Sequence, residues 1–134
     1  MLNQNAMHNL SPENLSVIMS FKFEKLIVWQ KSVDLSAEVH ELTRTFPKEE
    51  LFILTSQTKR AADSVSLNIA EGSTGQSNPE FKKFLGYSLR SSIEVVGCLY
   101  LGRRRGLINQ PDFDKIYKQC EEILVMINAL RNSL

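Results

Sequence analysis

Phe113, Ile116, Cys120, Ile123, Ile127, Leu130 and Leu134 step by three and four residues to the last position of the sequence. Apolar side chains at that spacing line one stripe of an α-helix. A strand could not use them, because its faces alternate every second residue. One amphipathic rod cannot bury its own stripe, so the rest of the chain must supply matching rods.

Three earlier segments do so. Val28, Leu35 and Leu42 repeat by seven, with Trp29, Val33, Ala37 and Val39 widening the stripe, which predicts a first helix over about 23–45. It stops at Phe46-Pro47, because the residue before a proline is pushed out of helical geometry. Pro47, Glu49 and Glu50 suit the start of a second helix, which runs to about Gly72 with Leu51, Leu54, Thr58, Ala61, Val65 and Asn68 along its inner side. Ala61, Ala62, Ser64 and Ser66 are small enough to let a neighbour approach closely. Gly72 reads as the C-terminal stop, and Asn78-Pro79-Glu80 as the restart. The third helix continues to about Arg105 with Phe81, Phe84, Leu85, Ser88, Ser92, Val95 and Leu99 buried, and Gly106 ends it. Asn109 or Gln110, before Pro111-Asp112, opens the fourth.

Short connections between long rods predict an all-α fold, an antiparallel up-down-up-down four-helix bundle. The chain has 134 residues, 43% of them apolar, enough for one domain with a core of its own. That domain is expected over 21–134. Residues 1–20, rich in Asn and Ser and broken by Pro12, read as a flexible N-terminal tail.

Sixteen basic residues face fifteen acidic ones, so any polyanion site must be local. Cys98 and Cys120 fall in helical stripes without CxxC spacing and read as reduced core thiols, which points to a cytoplasmic protein. No run is long and apolar enough to suggest a membrane span. His40 is the one histidine inside the predicted fold and has no Glu-x-x-His context, so neither a metal nor a cofactor is expected. Helix register sets His40 near Ile53, away from Cys98, and no catalytic constellation is evident.

The polar residues that stand out are Arg60, Asn68, Glu71 and Glu94. Glu71 is a carboxylate in the last turn of a helix, where the dipole disfavours it. Facing positions place it near Glu80 or Lys83, or beside Lys22. Arg60 then faces Glu94, and Asn68 bridges helices. These four read as a structural polar cluster. Arg103, Arg104 and Arg105 form the one dense basic run and sit at the negative end of the third helix dipole. They are candidate nucleic-acid contacts.

Three stretches carry a likeness to a known family: "FEKLIVWQKSVDL", "FPKEELFILTSQTKRAADSVSLNIAEGS" and "PEFKKFLGYSLRSSIEV". Over residues 21–134 the chain resembles the 23S rRNA intervening-sequence proteins, also called the four-helix bundle protein family. Trp29, Phe46, Pro47, Gln57, Arg60, Asn68, Glu71, Gly72, Phe81, Leu85, Ser91 and Glu94 match its pattern. The resemblance implies a four-helix up-and-down bundle without assigned catalytic residues. It also implies a ring-shaped homo-oligomer, a pentamer, as in the related accessory variability proteins of diversity-generating retroelements. Two functions are expected from this: assembly and partner binding, or an RNA- or DNA-binding accessory role using a ring of arginines. No small-molecule substrate is evident.

Overall fold

The computed structural model describes residues 21–75 and 77–134; the N-terminal segment read as a tail lies outside them. A short 3-10 turn (Lys22–Lys25) leads into α1 (Ile27–Thr43). A second 3-10 turn (Lys48–Glu50) and a π-helical turn (Leu51–Thr55) lead into α2 (Ser56–Ser73). α3 (Asn78–Arg104) and α4 (Gln110–Ser133) complete the chain, and no strand occurs among the described residues.

Each helix packs on its chain neighbours, and α4 closes back on α1. Ion pairs Lys31–Glu122 and Glu38–Lys115 fix α1 against α4 in opposite directions. Ser64 against Ser91, and Leu54 near Gly102, do the same for α2 and α3. Tyr100 stacks edge-on to Phe113, while Arg131 lies near Gly86, so α3 and α4 are antiparallel too.

The seams alternate three and four residues. α3 buries Phe81, Leu85, Ser88, Ser92, Val95, Leu99 and Gly102. α4 buries Phe113, Ile116, Cys120, Ile123 and Ile127. α1 buries Val28, Ser32, Leu35, Val39 and Leu42, whereas Val33 and Ala37, expected to widen the stripe, are exposed. Steps of two residues turn a helix by about 200°, so those two fall on the far flank of Leu35.

Several hydroxyls within the seams reach backbone carbonyls, whereas the buried Ser92 Oγ does not. Ser32 Oγ donates to the Val28 carbonyl at 2.6 Å and Thr58 Oγ1 to that of Leu54 at 2.6 Å. Ser88 Oγ crosses to the Val65 carbonyl at 2.7 Å. Such bonds let small polar residues occupy core positions, where an unpaired hydroxyl would cost about 1–3 kcal/mol.

The starts of α3 and α4 follow capping rules. Ser77 Oγ, one residue before the expected Asn78, accepts from the Glu80 amide at 3.3 Å. Asn109 Oδ1 accepts from the Asp112 amide at 2.9 Å. Gly106 has φ of 75° and ends α3 as expected.

Two local expectations are corrected. Leu51 is 49% exposed rather than buried. A π turn carries more residues per turn than an α-helix, so Leu51 falls out of phase with Leu54. Gly72 is not a left-handed stop: α2 continues to Ser73, and Gly106 is the one described residue at positive φ. Gly72 is instead where α3 comes closest; a Cβ there would lie 2.5 Å from Phe84 Cβ.

Candidate interaction surface

The twelve-residue stretch from Arg44 to Thr55 changes how α2 meets α1. The expected register put His40 near Ile53. The two extra turns before α2 displace it, and His40 Nε2 meets Asp63 Oδ1 at 2.9 Å. Ser36 Oγ donates to the same oxygen at 2.5 Å. Serine and imidazole thus share one acceptor and do not form a Ser–His–Asp chain. The imidazole is not placed to take the serine proton, and the cluster reads as a tie between α1 and α2.

The four residues expected to form a polar clasp are spread along one side of α2 and α3. Arg60 and Glu94 line one shallow groove of about 450 Å³ with Phe52, Ile53, Ser56 and Gln57. They form no ion pair; Arg60 Nη2 reaches Ser56 Oγ at 3.4 Å. Asn68 Nδ2 donates to the Ser64 carbonyl of its own helix at 2.8 Å and does not bridge to another. Glu71 is exposed, and its carboxylate has no hydrogen bond or ion pair among the described residues.

The arginine run is largely engaged. Arg105 Nη1 bonds both oxygens of Glu50, at 3.1 and 2.9 Å. Glu50 Oε2 also accepts from the Leu54 amide at 3.2 Å, so this carboxylate caps the π turn and anchors the end of α3. Arg103 lies over the Phe113 ring, 5.4 Å from its centroid. Only Arg104 of the three makes no contact of this kind among the described residues.

Both cysteines are free and buried. Burial pushes the Cys120 thiol up to about 12, although the Ser92 hydroxyl beside it pulls the other way. Burial also raises Cys98, against a smaller lowering by the Thr58 hydroxyl. Thiols held protonated in this way are poor nucleophiles. The described residues contain no group of three His, Cys, Asp or Glu side chains that could hold a metal. None of their helices is long and apolar enough to cross a membrane.

Sequence periodicity also held a signal that the core reading passes over. On α2 and the π turn, Ile53, Gln57, Arg60, Ser64, Leu67 and Glu71 alternate four and three. On α3, Lys83, Tyr87, Arg90, Glu94, Gly97 and Leu101 do the same. Every one is exposed except Ser64, which is half-buried where its hydroxyl bonds Ser91 Oγ at 2.6 Å. Two helices therefore carry second seams, side by side, facing outward. Leu67 is 63% exposed and Phe52, next to Ile53, is 87% exposed.

A model of the 23S rRNA-intervening sequence proteins matches residues 24–129. The chain belongs to that family. Among solved structures it is similar to a protein of unknown function from the S23 ribosomal protein family of Bacteroides thetaiotaomicron, with a TM-score of 0.74 and 23% identity. The match covers 79% of this chain and 96% of that one, and at this identity it speaks for the fold. No curated protein matches the chain.

Proposed function

We propose that this protein is a non-catalytic bundle that acts by self-association and partner binding, and that the outward seams of α2 and α3 form its contact face. The observation that carries the reading is the pair of exposed four-three repeats flanking the Ser64–Ser91 crossing. Ile53 and Leu67 on one seam, and Tyr87 and Leu101 on the other, stand two heptads apart and supply apolar contact. Arg60, Glu71, Arg90 and Glu94 supply both signs of charge and form no ion pairs among the described residues. A surface with both signs on it can complement a second copy of itself, as closed homo-oligomers require.

Light scattering on the eluting protein tests this. The wild-type chain should run as a defined oligomer, a pentamer if the family likeness extends to stoichiometry. Leu67→Asp and Tyr87→Asp, both at exposed positions, should yield folded monomers. A monomeric wild type at high concentration, or variants that assemble normally, would defeat the reading.

The arginine run favours a second reading, an accessory protein for RNA or DNA, because assembly would multiply Arg104 around a ring. Arg103 and Arg105 are already committed to Phe113 and Glu50. A titration of single- and double-stranded probes at two salt concentrations decides it: affinity that falls steeply with salt supports the role, and no affinity at low salt removes it.

A further inference from the structure

A second concavity lies at the α1–α2 corner, away from the α2–α3 face. It has a volume of about 340 Å³ and is lined by His40, Thr43, Arg44, Lys48, Thr55 and Lys59, with Phe46, Pro47 and Leu51 at its side. That size falls in the range of small-molecule sites, roughly 300–1,000 Å³. Every ionisable residue in the lining is cationic or an imidazole, and none is a carboxylate.

Two features separate it from a solvated basic corner. Lys48 and Lys59 form no ion pair among the described residues, and Lys59 is half-buried. Arg44 caps the end of α1, answers the negative end of its dipole and is paired with Glu41 at 3.4 Å. Lys59 lies in α2, beyond the reach of that effect, which fades within one turn. Secondly, Thr55 is only 7% exposed, yet its hydroxyl has no hydrogen bond among the described residues. Thr58, one turn further on, bonds back to the carbonyl four residues earlier. Thr55 closes the π turn, the kind of helix irregularity that recurs at functional sites. The Thr55 hydroxyl is not sealed in the core; it is open to the basic cavity it lines, where it is positioned to donate to a bound anion.

We propose that this corner binds the phosphate dianion of a small phosphate monoester. Lys48 and Lys59 supply charge-assisted donors, Thr55 supplies a hydroxyl, and the organic part of the ligand lies against Phe46, Pro47 and Leu51. His40 is turned to Asp63 through Nε2 and borders the cavity as a neighbour of the anion. The lining residues are scattered over two helices and a turn, so no motif announces them in the sequence.

Calorimetry and amide NMR on the full chain test the site, with inorganic phosphate and adenosine 5′-monophosphate as probes in chloride buffer. Both should bind saturably, the nucleotide more tightly, with shifts concentrated at Thr43, Lys48, Thr55 and Lys59. Lys48→Met and Lys59→Met should each weaken binding by about tenfold, the loss of one charge-assisted hydrogen bond. The double variant Lys82→Met/Lys83→Met removes charge at the opposite end of the bundle and should leave affinity unchanged. Thr55→Val should weaken binding while leaving the melting temperature equal or higher, since the hydroxyl it removes has no partner in the fold. If Lys59→Met does not fold, the exposed Lys48→Met carries the test. Absence of saturation with either probe, equal affinity for the two, or an equal loss in the distal double variant would overturn the assignment.

Discussion

Three glycines separate close backbone approach from simple lack of a side chain. In Gly72→Ala the new methyl would meet Phe84 Cβ at 2.5 Å and Phe81 Cδ1 at 3.2 Å. Carbon atoms in ordinary contact lie about 3.5–4.0 Å apart, so roughly 1 Å must be found. Phe84 Cβ is bonded directly to the main chain and cannot rotate away, so α2 and α3 themselves must part. Overpacking of this kind costs about 1–3 kcal/mol, and the better helix propensity of alanine returns about 0.5–1 kcal/mol. The balance is a loss of about 0.5–2 kcal/mol. In Gly102→Ala the nearest atom, Ile108 Cδ1, is also at 2.5 Å, but it is the tip of a flexible side chain. A rotamer adjustment there costs about 0.5–1.5 kcal/mol, which the propensity gain largely cancels. Gly97 has nothing within 4 Å, so Gly97→Ala should gain about 0.5–1 kcal/mol. Urea unfolding followed by circular dichroism gives the three values, repeated over protein concentration because association adds apparent stability. The expected order is Gly97→Ala above wild type, Gly102→Ala near it, and Gly72→Ala lowest. A Gly72→Ala chain as stable as wild type, or one more stable than Gly102→Ala, would refute the claim that α2 and α3 are held at backbone distance there.

Ile123 is 1% exposed, and Ile123→Ala should cost about 2–5 kcal/mol in the same assay; a change within error would mean that the α4 stripe is not in the core. Glu50→Ala removes both the Leu54 cap and the Arg105 pair, so it should cost about 1–2 kcal/mol, more than Arg105→Ala, whose partly exposed guanidinium contributes under about 1 kcal/mol. Raising pH from 9 toward 12 should destabilise the fold, because the unfolded thiol of Cys120 ionises near its ordinary 9.0 while the folded one, at about 12, stays protonated. The folded state then binds more protons, stability falls by about 1.4 kcal/mol per pH unit in that window, and Cys120→Ala should flatten the slope of chemical unfolding against pH. Glu71→Gln should raise the stability of the dilute monomer by up to about 1 kcal/mol, read by melting at low ionic strength, and weaken assembly in light scattering.

The seams were legible because helix burial is a local code: Phe81 to Leu99 and Phe113 to Ile127 repeat at a spacing that only one helical face satisfies. The α1–α2 register was not, since it depends on the geometry of the connection. The 3-10 and π turns at Lys48–Glu50 and Leu51–Thr55 reset both phase and height, which exposes Leu51 and brings His40 to Asp63. Long polar side chains were the least legible. Arg105 has Glu94, Asp112 and Asp114 near it in sequence, yet it takes Glu50, because the corner where α3 ends meets the start of the π turn. The unpartnered hydroxyl of Thr55 follows from the same turn and has no signature in residue order.

Glu71 shows how core and surface arguments divide. It lies in the last turn of α2, a stretch without a basic residue, so its charge faces the unfavourable end of the dipole. Within the chain nothing described offsets it. The structural role expected of it needs a cation or a donor, and Lys83, the nearest candidate by position, sits over the Tyr87 ring at 5.9 Å. A residue that matches the family pattern but does no visible work in the lone chain belongs, on the proposed reading, to a contact made between chains. There Arg60 or Arg90 of another copy could meet it, out of water, where an ion pair is less screened than on an open helix end. The same logic covers Leu67 and Ile53, whose exposure costs the monomer apolar surface that a neighbour would bury. Stability in isolation and stability in assembly are then set by different faces of the same helix, the first by Leu54, Ala61, Val65 and Ile69, the second by the seam that turns outward.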